Sequence, residues 1–214
     1  MRVVIAGGHG QIALLLEKVL AERGDTAVGI VRNPDHTDDV EATGAECVVL
    51  DLEKAEVGQV AEVVKGADAV VFAAGGGPNS GAARKETVDK GAAVLLADAA
   101  EQAGVRRYVI VSSMGAESAD PDSDDVFQVY LRAKKAADDD LRSRDLDWTV
   151  VRPGRLTNDA GTGRVQVGSL ERGSVTRADV AAVIAEALST DTTIGKSFDL
   201  LEGEQTIEAA LSAL

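Results

Sequence analysis

A chain of 214 residues with one cysteine, Cys47, cannot build an internal disulfide framework or a cysteine-based zinc site. Cys47 lies in the apolar run CVVL, which predicts a buried strand position rather than a ligand or nucleophile. Without disulfides, the expected compartment is a reducing cytoplasm. Positive charge is also scarce. Lys and Arg total 22 against 36 Asp and Glu, a formal charge of −14, so most of the exterior repels phosphates. Nucleic acid and anionic membrane are thereby disfavoured as partners, and any anionic ligand must be held by local groups. No apolar run reaches membrane-spanning length, and the first residues lack the basic flank and cleavage pattern of a secretory signal. No linker rich in Pro or Ser and no internal repeat marks a boundary, so residues 1–214 are expected to form one domain.

What the chain contains is alternation. The runs VVIA, TAVGIV, ECVVL, AVVFA, YVIVS, WTVVR and SFDLL are interleaved with helical patterns over 11–23, 57–65, 83–103, 125–143 and 177–188. Apolar runs without polar alternation are expected where helices cover both faces of a parallel sheet. The pattern therefore predicts an α/β fold with a doubly wound, mostly parallel sheet. Two stretches escape it. Residues 115–124, GAESADPDSD, read either as a mobile loop beside the site or as a solvated acidic connection, and 157–173 carry a short strand at RVQVGS. Residues 155–176 are expected to form a small C-terminal part covering the substrate.

The opening RVVIAGGHGQIALLL runs a strand directly into glycines and then into a helix whose Ile12, Leu15, Leu16, Val19 and Leu20 share a face. This predicts a dinucleotide cradle. Gly7 permits the sharp turn, Gly10 lets the backbone approach a pyrophosphate, and Ala13 lets helix and strand pack closely. Gly8, His9, Gln11 and Ile12 fall in the same loop and first helical turn, whose free N–H groups face phosphates. His9 could touch a phosphate from this loop or stand as a solvated imidazole. Ligands of doubly wound sheets bind beyond the carboxyl ends of the strands, which nominates further residues. After TAVGIV comes Arg32, where an acid would favour NAD and an arginine suits the extra phosphate of NADP. NADP(H) is the expected cofactor, with Asp35 keeping NAD(H) open. After ECVVL, Asp51 and Leu52 are placed to flank an adenine. After AVVFA, Ala74, Gly75, Gly76 and Gly77 leave room for a ribose or pyrophosphate against the backbone.

After YVIVS come Ser112 and Ser113, and on the next helix Tyr130 and Lys134. Residues four apart on a helix share a face, so phenol and ammonium reach one pocket while Lys135 points elsewhere. A neighbouring ammonium favours the phenolate, which fits Tyr130 for passing a proton to or from a substrate oxygen while hydride moves at a nicotinamide. A strand-end serine can hold that oxygen. The run Asp138 to Asp140, on a helix with no histidine nearby, is expected to be a solvated face rather than a metal cluster.

GGHGQIA, the VSS strand end, YLRAK, WTVVRPG and SVTRADVA together resemble the short-chain dehydrogenase/reductase superfamily. The likeness is to its atypical NAD(P)H-binding branch, which includes NmrA-like proteins and the flavin and biliverdin-IX-beta reductases. The resemblance implies an NAD(P)-binding Rossmann fold, Tyr130 as acid/base and Lys134 as the residue that holds the nicotinamide ribose and tunes the phenol. It implies Ser112 or Ser113, with Ser113 preferred by register, as the substrate-orienting hydroxyl. Arg152, Pro153 and Gly154 would pass close to the nicotinamide. Asp89 stands where larger members carry an asparagine, and the chain ends before a nucleotide-sugar domain could follow. The expected function is hydride transfer to or from a small carbonyl, quinone or flavin-like molecule. A cofactor-sensing binding protein is the alternative, and an epimerase or isomerase a weaker one. A small-molecule substrate is the expected partner; the oligomeric state, a homodimer included, is left open.

Overall fold

A computed structural model of the protein describes residues 1–77 and 80–214. In chain order the elements are β1 (Arg2–Ala6), α1 (Gln11–Glu22), β2 (Thr26–Val31), α2 (Thr37–Glu41), β3 (Glu46–Val49), α3 (Val57–Val64), β4 (Ala69–Phe72) and α4 (Ala82–Arg84). A π-helical turn over Lys85–Ala92 joins α4 to α5 (Ala93–Ala103). There follow β5 (Arg107–Val111), α6 (Val126–Arg142), β6 (Asp147–Pro153), β7 (Arg155–Thr157), β8 (Arg164–Gly168), β9 (Ser174–Thr176), α7 (Arg177–Ala187), β10 (Lys196–Glu202), β11 (Gln205–Thr206) and α8 (Ile207–Ser212).

Alternate residues of each central strand enter opposite apolar layers. Val3 and Ile5 of β1, with Val109 and Val111 of β5, pack toward α1 and α7. Val4 and Ala6, with Tyr108 and Ile110, pack toward α3 and α5. Both faces are dry, which is why these runs show no polar alternation. The strand order is β11-β8-β10-β6-β5-β4-β1-β2-β3. Strands β3, β2, β1, β4, β5, β6 and β10 are mutually parallel, whereas β8 runs antiparallel to β10 and β11 antiparallel to β8. From β1 the chain first goes outward to β2 and β3, then crosses back to place β4 on the other side of β1. That reversal opens a crevice above β1 and β4, the place where such sheets hold ligands.

Several local expectations are corrected. Leu15 is exposed, and the inward face of α1 is Ala13, Leu16, Glu17 and Leu20, so a carboxyl occupies a core position. Cys47 is only half-buried, because β3 is the sheet edge; its thiol donates to Thr37 Oγ1 at 3.8 Å, and burial pushes its pKa up. The stretch 83–103 is interrupted by the wide turn, which brings Lys85, Val88, Asp89 and Ala92 inward together. RVQVGS does form a strand, β8. No helix among the described residues is long and apolar enough to cross a membrane.

Candidate active site

The crevice is built by the loop leaving β1. Gly7 turns with φ +85°, and a Cβ there would lie 2.6 Å from Cα of Ala74, so the first glycine meets the end of β4 backbone to backbone. The N–H groups of Gly7 and Gly8 both donate to the Ile30 carbonyl, at 3.1 and 2.9 Å, which fixes the loop to β2. Gly10 precedes α1 and donates to Gly7 at 2.8 Å, while Ala13 is fully buried against the sheet. The N–H groups of Gln11, Ile12 and Ala13 have no acceptor among the described residues. These are the free donors of a helix start, aimed with the positive end of the helix dipole.

Above the loop lies a cleft of about 280 Å³, with Gly7, Gly10, Ala74 and Gly75 on one side and Asp51 and Leu52 on the other. Gly8, Gln11, Ile12 and Gly76 belong to the same loops but do not line it. Arg32 stands at its mouth beside Arg84, a residue that sequence reasoning missed. Both guanidiniums donate to one oxygen of Glu53, each at 3.0 Å, and the Thr87 hydroxyl donates to the other at 2.7 Å. Thr87 first, then Arg84, holds the Glu53 carboxyl below the ordinary carboxylate range. His9 is not a free imidazole: it stacks on His36 with centroids 3.6 Å apart and shares a hydrogen bond with Asp39 at 2.8 Å.

A second, larger cleft of about 1330 Å³ opens beyond β5 and β6. Ser113, Met114, Pro153 and Gly154 line it, with Leu131 of α6 and Leu170 opposite. Gly115, Glu117 and Ser118 also line it, so the acidic connection is part of a wall rather than merely solvated. Arg142 first, then Arg152, holds the Glu117 carboxyl down at about 2 despite partial burial.

Helix α6 carries Tyr130, Lys134 and Asp138 on one stripe, four residues apart. The Tyr130 ring is flanked by two ammoniums, Lys85 Nζ at 5.3 Å and Lys134 Nζ at 5.8 Å from its centroid. Lys134 is buried: Nζ donates to the Val111 carbonyl at 3.0 Å and stands 3.5 Å from Oδ1 of Asp89. Asp89 in turn accepts the Gly76 N–H at 3.0 Å, and Lys85 donates to the Gly77 carbonyl at 2.7 Å. The phenol is thus tied through two lysines to the glycine stretch after β4. Neither Tyr130 nor Lys134 lines either cleft. Asp138, read from sequence as solvated, is fully buried; it accepts from Ser112 Oγ at 2.9 Å and from Arg152 Nε at 3.1 Å. The Ser112 hydroxyl is therefore spent inside the protein, and of this pair it is Ser113 that lines the large cleft. Burial pushes the Asp138 carboxyl up against the opposing pull of Arg152. Lys135 leaves this stripe and pairs with Asp139 and Glu117.

The family model described as NAD(P)H-binding matches residues 7–191. The chain belongs to the NAD(P)H-binding family. It is 35% identical to the uncharacterized sugar epimerase YhfK of Bacillus subtilis over 100% of both chains. Among solved structures, it is similar to a putative NAD-dependent epimerase/dehydratase from Bacillus halodurans, with 38% identity, a TM-score of 0.92 and 100% of both chains covered. It is also similar to the oxidoreductase ylbE from Lactococcus lactis, with 29% identity, a TM-score of 0.89, and 100% of this chain and 96% of that one covered.

The NAD(P)H-binding assignment agrees with the crevice. A Cβ at Gly7 would strike Ala74, one at Gly10 would come 3.1 Å from the Gly7 carbonyl, and one at Gly75 would come 3.1 Å from Asp89 Oδ1. Gly7, Gly10 and Gly75 thus present bare backbone to the cleft, and the start of α1 beside it has three N–H groups without an acceptor among the described residues. Sequence reasoning misses Lys85, Arg84 and Glu53, and it gives Asp138 no internal partner. The one signal present was spacing: Lys85 and Asp89 are four apart, as are Lys134 and Asp138.

Proposed function

We propose that this NAD(P)H-binding protein is an NADP(H)-dependent oxidoreductase that moves hydride to or from a small carbonyl, quinone or flavin-like molecule, with Tyr130 supplying or taking the proton. The carrying observation is the phenol ring between the Lys85 and Lys134 ammoniums, on the helix whose next residue, Leu131, lines the large cleft. Two cations against the ring hold the phenol in place, and a phenol so placed can pass a proton at its hydroxyl. The nicotinamide, when bound, supplies or receives the hydride. Gly7, Gly8, Gly10 and the N–H groups of Gln11 and Ile12 would hold the pyrophosphate; Asp51 and Leu52 would flank the adenine; Ala74, Gly75 and Gly76 would admit the ribose. Arg32 and Arg84 would take the 2′-phosphate, because two guanidiniums share one carboxylate, Glu53, and leave positive charge unmatched. Pro153 and Gly154 would border the nicotinamide, and Ser113 would orient the substrate oxygen.

The test is loss of reduced-nicotinamide absorbance against a panel of carbonyl, quinone and flavin acceptors. Tyr130→Phe should lower turnover by about 100-fold or more, the usual scale of a general acid, and leave NADPH affinity unchanged. Unchanged turnover would remove Tyr130 from the chemistry. A second reading, a protein that senses NADP(H) without turning it over, is favoured by one observation: Lys134 is spent on Val111 and Asp89, and neither it nor Tyr130 lines a cleft. Tight NADPH binding with no turnover against any acceptor would select that reading.

A further inference from the structure

In a chain of net charge −14, uncommitted positive charge is scarce, and its location is informative. The guanidiniums of Arg2, Arg23, Arg32, Arg84, Arg106 and Arg107 each donate to a carboxylate, carbonyl or hydroxyl oxygen. So do those of Arg132, Arg142, Arg144, Arg152 and Arg164, and that of Arg177 donates to the Asn158 side-chain oxygen. Arg155 and Arg172 are the two left without a polar partner among the described residues. Both line the large cleft. They are held there by one small ribbon: Arg155 opens β7, pairs in register with Ser174 of β9, and its N–H donates to the Gly173 carbonyl at 2.9 Å, one residue beyond Arg172.

The acids of the same cleft do not answer them. Glu117 is taken by Arg142 and Arg152, and Asp199 accepts the Leu170 N–H at 3.1 Å. Glu171 and Asp199 have no cationic partner among the described residues, yet neither stands within ion-pair distance of Arg155 or Arg172. The remaining wall carries the apolar side chains Met114, Phe127, Leu131 and Leu170 beside Gln128 and four serines. Phe127 is 57% exposed, an apolar ring held at the edge of an open cavity.

Resting on the oxidoreductase reading of this site, we infer that the acceptor is an amphipathic carboxylate: an apolar, ring-containing body lies along Phe127, Leu131 and Leu170, and its carboxylate is gripped by Arg155 and Arg172. A planar two-oxygen anion fits the guanidinium fork, and two unpaired guanidiniums in one cleft can attract an anion locally despite the net charge. The carboxylate end is held at the ribbon, with the body extending toward Ser113 and Gly154.

The experiment is a fluorescence titration of the full-length protein with 1-pyrenebutyrate and with its neutral counterpart 1-pyrenebutanol. It needs no turnover, so it succeeds or fails independently of the redox assay. The acid should bind at least about tenfold more tightly than the alcohol, and the preference should shrink as salt is added. In the double variant Arg155→Gln, Arg172→Gln the two probes should bind alike, with the alcohol's affinity and the thermal unfolding midpoint unchanged. Equal binding of the two probes to the unaltered protein, binding of neither, or a preference that survives in the double variant would overturn the inference. Tighter binding of 1-pyrenebutyl phosphate than of the carboxylate would overturn it too, by assigning the arginines to a phosphorylated acceptor.

Discussion

At Gly7 the backbone turns with φ +85°, and a methyl group would stand 2.6 Å from the Ala74 Cα, so a side chain is opposed by both conformation and space. Gly7→Ala is expected to lower unfolding free energy by about 1–3 kcal/mol and to weaken NADPH binding by about tenfold or more. Urea unfolding and calorimetric titration check the two effects separately. Glu17 presents the opposite case, a residue that the core holds at a cost. Its carboxyl is fully buried beneath Gly8 and Gly29, with only the Thr43 hydroxyl donating to it, at 3.3 Å; burial raises its pKa to about 8. An acid whose pKa is raised on folding keeps its proton in the native state after the unfolded chain has released it. Stability is thus full below the ordinary carboxylate range and falls as pH rises toward about 8. Glu17→Gln removes this titration. Its stability relative to the unaltered protein should rise across that window, with a slope approaching about 1.4 kcal/mol per pH unit, as read from urea unfolding at a series of pH values. A slope of zero would place the Glu17 carboxylate in contact with solvent. Gly7, Gly10 and Ala13 were legible in the sequence because their spacing is local. Glu17 and Asp138 were not, since a buried acid is identified by partners such as Thr43, Ser112 and Arg152, which only the folded chain brings near.

Helix α6 is the element on which the site turns. Its stripe of Tyr130, Lys134 and Asp138 reaches the ends of β5 and β6 through Val111, Ser112 and Arg152. Asp138→Ala would strand the Ser112 hydroxyl and remove one of two carboxylates from the buried Arg152 guanidinium. Loss of about 3 kcal/mol in unfolding free energy is expected, and less for Asp138→Asn, which keeps an oxygen for Ser112. Chemical denaturation of the two variants measures the difference; equal stability of Asp138→Ala and the unaltered protein would show the network to be idle. Most of the parallel strands were readable because they are apolar runs without polar alternation, and the helices because their periodicity spans several turns. Strands β7, β9 and β11 were not, being 3, 3 and 2 residues long, too short for any period to show. The π turn was hidden for a different reason: positions 88, 92, 96 and 100 remain apolar whether the turn before Ala93 is wide or regular.

For the whole molecule, sheet topology and charge divide the work between two clefts. The reversal between β1 and β4 sets bare backbone and free helix N–H groups around the smaller one, and the turn from β6 through β7 to β9 walls the larger. In a strongly acidic chain, Arg32 and Arg84 line one cleft and Arg155 and Arg172 the other. The family and the sheet were evident from the N-terminal glycines and the strand ends; the allocation of arginines was not, because pairing is a property of the folded surface. Calorimetric titration of the protein with NADPH and with NADH tests the central claim most directly. One equivalent of NADPH per chain, bound about tenfold or more tighter than NADH and losing that preference in the double variant Arg32→Ala, Arg84→Ala, is the expected result. Absence of binding by either coenzyme, or an NADH affinity equal to that of NADPH, would contradict it.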